Sequence, residues 1–365
     1  MKIYQAGLLA TFSMAVLACK PPAATPLYVG TYTQADGSHG IHYLEYDFQN
    51  DSLHVVQEYR TPNPSFLAKG NGFLLAVNEL TGGEQQLTSL AISEGGLSPI
   101  NSIPTSTGSP CHVLLAEDES YAIVSNYVGG AVDLFSITGS GQILRREDTR
   151  IYTGSSIDKE RQRASHIHSA FLGPDGWVYV SDLGADKIYV LEVVRDGDGL
   201  SIKERDTLDV PAGGGPRHLA FHPIKNDFYA LMELSGEIHR FSLLDQQWTL
   251  TETYDLNTDD FSGVNGAADI KISADGKFLY ATNRGEANVI STFGIQPDGK
   301  LTKKQVLSVG GQGPRNFNFS PDEQFVLIGN QLSDEIVIFH RDVSTGLLED
   351  SGKSIPLAQP VCIIF

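Results

Sequence analysis

Five short stretches carry side chains able to hold an anion and move a proton. They are His166-Ile-His168, Gly215-Pro-Arg217-His218, Met232-Glu233, Asn283-Arg284-Gly285 and Gly313-Pro-Arg315. Guanidinium forks match carboxylate or phosphate oxygens in pairs, so Arg217, Arg284 and Arg315 read as anion binders. One of them could also stabilise an oxyanion. His168 and Glu233 supply an imidazole and a carboxylate, one to activate water and the other to protonate a leaving oxygen. Glu233 is favoured as the base and His168 as the acid, although spacing leaves that order open. Histidines two apart on a strand share a face, so His166, His168 and Glu233 could instead ligate a metal. No fourth ligand accompanies them, which weighs against a metal. His112, His218 and His222 read as caps or cross-links between strands.

These residues lie far apart in the chain, and a repeat is what would gather them. Its phrase is a short apolar strand, a polar turn, a second apolar strand with a polar end, another turn and a third strand. Copies run from His112 to Asn126, His168 to Asp182, His218 to Glu233, Asp269 to Asn283 and Asn316 to Asn330. A sixth runs from Ser65 to Glu79. Starts about 45 to 55 residues apart mark a propeller with one four-stranded sheet per blade. A seventh blade begins at Leu27 and Gly40 without its first strand, which Pro360–Phe365 can supply. The expectation is therefore an all-β, seven-bladed propeller over 27–365, closed by pairing of its two chain ends, which removes an open edge. Glu79, Asn126, Asp182, Asn283, Asn330 and Gln331 would line one rim with His166 as substrate-binding groups. The polar insertion from Arg150 to Arg163 would lie over a rim.

The 365 residues carry a formal charge of −18. Nucleic acid demands clustered Lys and Arg, so the acidic excess argues against it as a partner. A small anion would feel only a local arginine cluster. Lys2 precedes an apolar stretch, Ala6–Leu17, of signal-peptide length and too short to span a membrane. Val16-Leu-Ala-Cys19 resembles a bacterial lipobox, in which the cysteine is lipidated. Residues 1–18 then read as a signal peptide and 19–26 as a lipidated tether. The expected location is a bacterial cell envelope, with the body a monomer or weak oligomer touching membrane only through that lipid. Cys111 and Cys362 are weak grounds for a disulfide.

Pro110-Cys-His112, Ser125-Asn-Tyr-Val-Gly-Gly130, His166-Ile-His168, Gly215-Pro-Arg-His218, Met232-Glu-Leu-Ser235, Thr282-Asn-Arg-Gly285, Gly313-Pro-Arg315 and Gly329-Asn-Gln331 occur in one order. That ordered set resembles the seven-bladed lactonase family, which includes propeller-type 6-phosphogluconolactonases and a fungal carboxymuconate lactonizing enzyme. The resemblance spans Tyr28 to Ile364. It implies a cofactor-free site on one propeller face, with His168, Arg217, Glu233 and Arg284 as the catalytic set. Leu-Met-Glu233 departs from the more usual Val-Asn-Glu, so an asparagine that might orient the carboxylate is missing. The implied activity is hydrolysis of a small anionic or sugar lactone. The alternatives are a muconate-type cycloisomerase and a non-catalytic envelope propeller that binds glycan or protein. Export weighs against a phosphorylated sugar lactone, a cytosolic metabolite.

Overall fold

The computed structural model describes residues 24–35 and 37–365. The expected signal segment, Cys19 and most of the expected tether lie outside the described residues. Every regular element among the described residues is a strand, and the strands form seven four-stranded antiparallel sheets. Blade 1 is built from Pro360–Ile364, Thr25–Thr31, Gly40–Asp47 and Ser52–Arg60, in that order from the axis outward. Blades 2 to 7 follow in sequence, with first strands Pro64–Lys69, Pro110–Leu115, Ile167–Leu172, Pro216–Phe221, Ala267–Ile272 and Pro314–Phe319. The C-terminal strand does close the ring, pairing Tyr28 with Ile364 and Gly30 with Cys362. Its N-terminal partner begins at Thr25, inside the span expected to be tether.

Stacked blades bury both faces of their inner strands. Successive side chains of a strand point to opposite faces, so each strand feeds two cores. In blade 1, Tyr28 packs toward blade 2 with Leu67 and Leu74, while Leu27 and Val29 pack toward blade 7 with Leu327 and Ile336. Seven such cores occur, one at each blade boundary. This explains why second strands such as Phe73–Asn78 and Phe278–Asn283 are buried throughout. Outer strands such as Gln247–Asp255 alternate between exposed and half-buried. Cys111 and Cys362 are buried free thiols. Cys362 Sγ instead accepts from Leu67 N (3.4 Å), tying the last strand to blade 2.

The first strands neighbour one another around the axis. Each skips register at its second residue. The extra residues include Ser65, Cys111, His168, Arg217, Arg315 and Val361. A bulge leaves one residue unpaired and re-aims its side chain. Here it does so at the rim where first strands start and second strands end.

Candidate active site

Two rows of positions meet at that rim. One is the bulged residue of each first strand. The other is the residue just past the end of each second strand: Tyr32, Glu79, Tyr127, Leu183, Glu233, Arg284 and Gln331. Members of both rows line an axial cavity of about 490 Å³, whose walls include Tyr32, Glu79, Cys111, Tyr127, His168, Glu233, Arg284, Arg315 and Gln331, with Arg161 from outside the rows. Leu183 is fully buried and takes no part. Above it lies the 150–163 insertion, pinned by buried Gln162, whose Nε2 donates to Leu183 O (2.9 Å). The insertion delivers Arg161 into the cavity instead.

Glu233 is the hub. Arg161 Nη2 donates to its Oε1 (2.7 Å), and Arg217 Nε donates to its Oε2 (2.9 Å). Arg284 Nη2 lies 3.2 Å and His168 Nε2 3.8 Å from the same Oε2. Burial alone would raise this carboxyl, but Arg284, Arg217 and Arg161 override it and hold the group at about 2. His168 moves the other way to the usual ion-pair case. Burial first, then Arg217 and the other nearby cations, lower it well below 6.5. The pair is therefore carboxylate and neutral imidazole at neutral pH. His168 Nδ1 is buried without a hydrogen-bond partner among the described residues. Buried polar atoms without a partner are few, and at the edge of a cavity such a nitrogen is free to meet a substrate or water.

Several expected positions differ from expectation. Arg217 is 3% exposed and is held through Nε by Glu233 and through Nη1 by Ala268 O and His218 Nε2 (3.1 Å). It braces Glu233 from below and does not line the cavity. His166 also stands outside the lining. Its ring stacks on Tyr127 (4.4 Å between centroids) and its Nδ1 lies 3.0 Å from Tyr127 O. The bulge at His168 breaks the even spacing that would have aimed both histidines alike. No group of three His, Cys, Asp or Glu side chains among the described residues could hold a metal.

Asn126, Asp182, Asn283 and Asn330 are fully buried, and they do not reach the cavity. Asp182 accepts from His166 N (2.8 Å), Gly184 N (3.0 Å), Ala185 N (3.1 Å) and Ser165 Oγ (2.5 Å). Asn283 donates to Asn257 and Asn265 and accepts from Gly266 N (2.9 Å). Asn126 donates to Asp133, and Asn330 donates to Val309 O. All four tie loops that would otherwise leave buried backbone groups unpaired. In blade 5 this position is Met232, which packs against Gly214. Arginines orient Glu233 in place of the missing asparagine.

Glu79, Gln331 and Arg315 do line the cavity, on the arc of blades 7, 1 and 2. Tyr32, unmarked in the sequence, joins them: its hydroxyl donates to Glu79 Oε2 and accepts from Arg315 Nη2, both at 2.8 Å. Cys111, Tyr127 and Arg161 were also missed. Tyr127 and Tyr32 sit one residue past a second-strand end, and that position was the available signal.

His112 and His218 sit in the buried layer of the axial channel beneath the cavity. His218 Nδ1 lies 2.9 Å from Asp269 Oδ1, and burial followed by Arg217 lowers its pKa to about 4. His222 Nε2 cross-links to Gly276 O (3.0 Å).

The fold and its axial cavity define a propeller with a cation-rich polar pocket and a neutral imidazole beside a clamped carboxylate. A family model described as lactonase, 7-bladed beta-propeller, matches residues 26–365, and the chain belongs to that family. The 6-phosphogluconolactonase of Formosa agariphila is 33% identical over 88% of this chain and 94% of its own. That of Bacillus subtilis is 30% identical over 93% and 97%. Among solved structures, the periplasmic gluconolactonase of Pseudomonas aeruginosa superposes with a TM-score of 0.85, 31% identity and coverage of 93% and 98%.

Proposed function

We propose that this protein is a lactonase, similar to the 6-phosphogluconolactonases, which opens a sugar or acidic lactone by adding water. The observation that carries the reading is the neutral, orphaned His168 held 3.8 Å from an ionised Glu233 inside a cation-lined cavity. His168 takes a proton from water as the oxygen attacks the lactone carbonyl. The carbonyl oxygen gains charge beside Arg284, a contribution often worth a few kcal/mol. Collapse breaks the ring C–O bond, and the imidazolium returns its proton to the departing alkoxide. Glu233 stays charged throughout, stabilising the imidazolium and fixing the arginines. This reverses the acid and base order favoured from the sequence, because both Glu233 oxygens are taken up by arginines whereas His168 keeps an unpaired ring nitrogen.

The test uses purified protein lacking residues 1–18, offered D-glucono-1,5-lactone, its 6-phosphate and a muconate. Faster opening of either lactone than in buffer, abolished in His168→Ala, is the expected result. Muconate cyclisation in its place would move the protein to the cycloisomerases, and inactivity on all three would leave a binding propeller.

We also infer export and lipidation at Cys19, supported by Lys2, the apolar 6–17 stretch and the Val-Leu-Ala-Cys sequence. Thr31 pairs with Pro360 at the cavity rim, so the strand that starts at Thr25 enters from the opposite face. An anchor joined there leaves the cavity facing away from the membrane. Labelling with a lipid precursor, lost in Cys19→Ser, is the expected outcome; labelling that persists removes the anchor.

A further inference from the structure

The cavity wall is electrically lopsided. On the arc of blades 4 to 6, Arg161 and Arg284 in the wall and Arg217 buried directly behind it surround one carboxylate, Glu233, leaving a local net charge of +2 with His168 neutral. Burial, with further push from Arg217 and Arg315 against the pull of Glu233, brings Arg284 down to about 9. That arc is short of negative charge. On the arc of blades 7, 1 and 2, one guanidinium, Arg315, faces one carboxylate, Glu79, and Tyr32 bridges them. That arc is neutral.

Hydrogen-bonding capacity remains on the neutral arc. Glu79 Oε1 and Arg315 Nε and Nη1 make no hydrogen bond among the described residues, whereas on the cationic arc both oxygens of Glu233 are engaged by arginines, so the free capacity of those charged groups is donor only. Gln331 adds an amide, held through Nε2 to Gln359 (3.4 Å). A free carboxylate oxygen accepts from a hydroxyl and a free guanidinium edge donates to one, so the pair reads an alcohol in both of its roles. A phosphate placed there would meet Arg315 and Glu79 together, attraction and repulsion being of the same order.

We propose that Glu79, Tyr32, Arg315 and Gln331 form a subsite for the uncharged polyhydroxyl chain of an unphosphorylated sugar lactone, while the cationic arc receives the carboxylate released by ring opening. The inference rests on the lactonase reading and adds to it the substrate class. The charge balance of the two arcs supports it whether or not the protein is exported.

Two measurements test it. In steady-state kinetics, D-glucono-1,5-lactone is expected to exceed its 6-phosphate in kcat/KM by about tenfold or more. Glu79→Gln is expected to cost roughly tenfold on the unphosphorylated lactone, mainly in KM, and to narrow the preference, as loss of a group built to bond a hydroxyl should. Preference for the phosphate, or a ratio unmoved by both Glu79→Gln and Arg315→Gln in variants with wild-type melting curves, overturns the subsite and leaves a lactonase standing. The second measurement needs no turnover: calorimetric titration of His168→Ala with gluconate and with 6-phosphogluconate. Tighter gluconate binding supports the subsite even if no lactone is opened, which would count against the lactonase reading alone. Tighter 6-phosphogluconate binding overturns the subsite.

Discussion

Asn283 and Arg284 are adjacent in the chain and belong to different regions of the molecule. Asn283 ends a second strand, is wholly buried and spends its amide on Asn257, Asn265 and Gly266. Arg284 comes one residue later, bonds Gly266 O through Nε and turns its Nη2 toward Glu233. The same step separates Asn78 from Glu79, Asn126 from Tyr127 and Asn330 from Gln331. In blades 2, 3, 6 and 7 one asparagine thus holds the rim loops and the next residue is offered to the cavity, while blade 4 buries Leu183 and blade 5 places Met232 before Glu233. Four of the seven second strands end in asparagine, while the cavity residues that follow run through Tyr, Glu, Arg and Gln. A propeller can change its chemistry at the second row without disturbing the first.

The largest effect that would sharpen this contrast is on turnover. His168→Ala is expected to lower kcat by about 10²- to 10⁴-fold, the usual worth of a positioned acid–base group. Asn283→Ala, on the same rim, should leave kcat of the folded protein within about threefold. A comparable loss of turnover in a folded Asn283→Ala variant would break the comparison. Stability should show the mirror image. Asp182→Ala strands several buried donors and is expected to cost about 3 kcal/mol in urea unfolding. Gln331→Ala should cost no more than about 0.5 kcal/mol.

A third effect lies on the pH axis. His112, His168 and His218 are held neutral by burial, with folded pKa values below the ordinary 6.5. As pH falls through 6.5 the unfolded chain takes up protons first, so stability present above that pH is lost on acidification. Each such group contributes up to about 1.4 kcal/mol per pH unit. For His218 the loss continues to about pH 4. Glu233 has the opposite shift, and its contribution, present above about 4.5, is lost only as pH approaches 2. Unfolding free energy measured from pH 8 to 4 should therefore decline from about 6.5 downward, while kcat/KM stays flat below 6.5 because His168 remains an unprotonated base. A stability plateau down to pH 4.5 would contradict the burial argument. The smallest expected change is in Arg161→Gln. Its side chain is 44% exposed and is one of three clamps on Glu233, so KM should rise roughly tenfold with kcat less affected.

The blades, their number and the closure by Pro360–Ile364 were legible because each rests on a local pattern repeated in the chain. His168, Glu233 and Arg284 were legible as a converging group for the same reason. The division of labour along the rim was not. Alternation along a strand assigns faces by counting in twos, and the bulge at the second residue of every first strand breaks that count. So His166 was paired with His168, and Arg217 was taken for a cavity residue when it lies beneath Glu233. Arg161 belongs to no repeat. Its position depends on Gln162 fastening the insertion over Leu183, a contact between segments about twenty residues apart that no period encodes.

The ring joins Thr25–Thr31 to Pro360–Ile364, strands separated by some 330 residues. Until the strand Pro360–Ile364 docks, Thr25–Thr31 presents an unpaired apolar edge of the kind that recruits foreign strands. Wherever the chain folds, the seam is the step that needs both ends of the propeller at once, and the axial mouth has no complete wall until it closes.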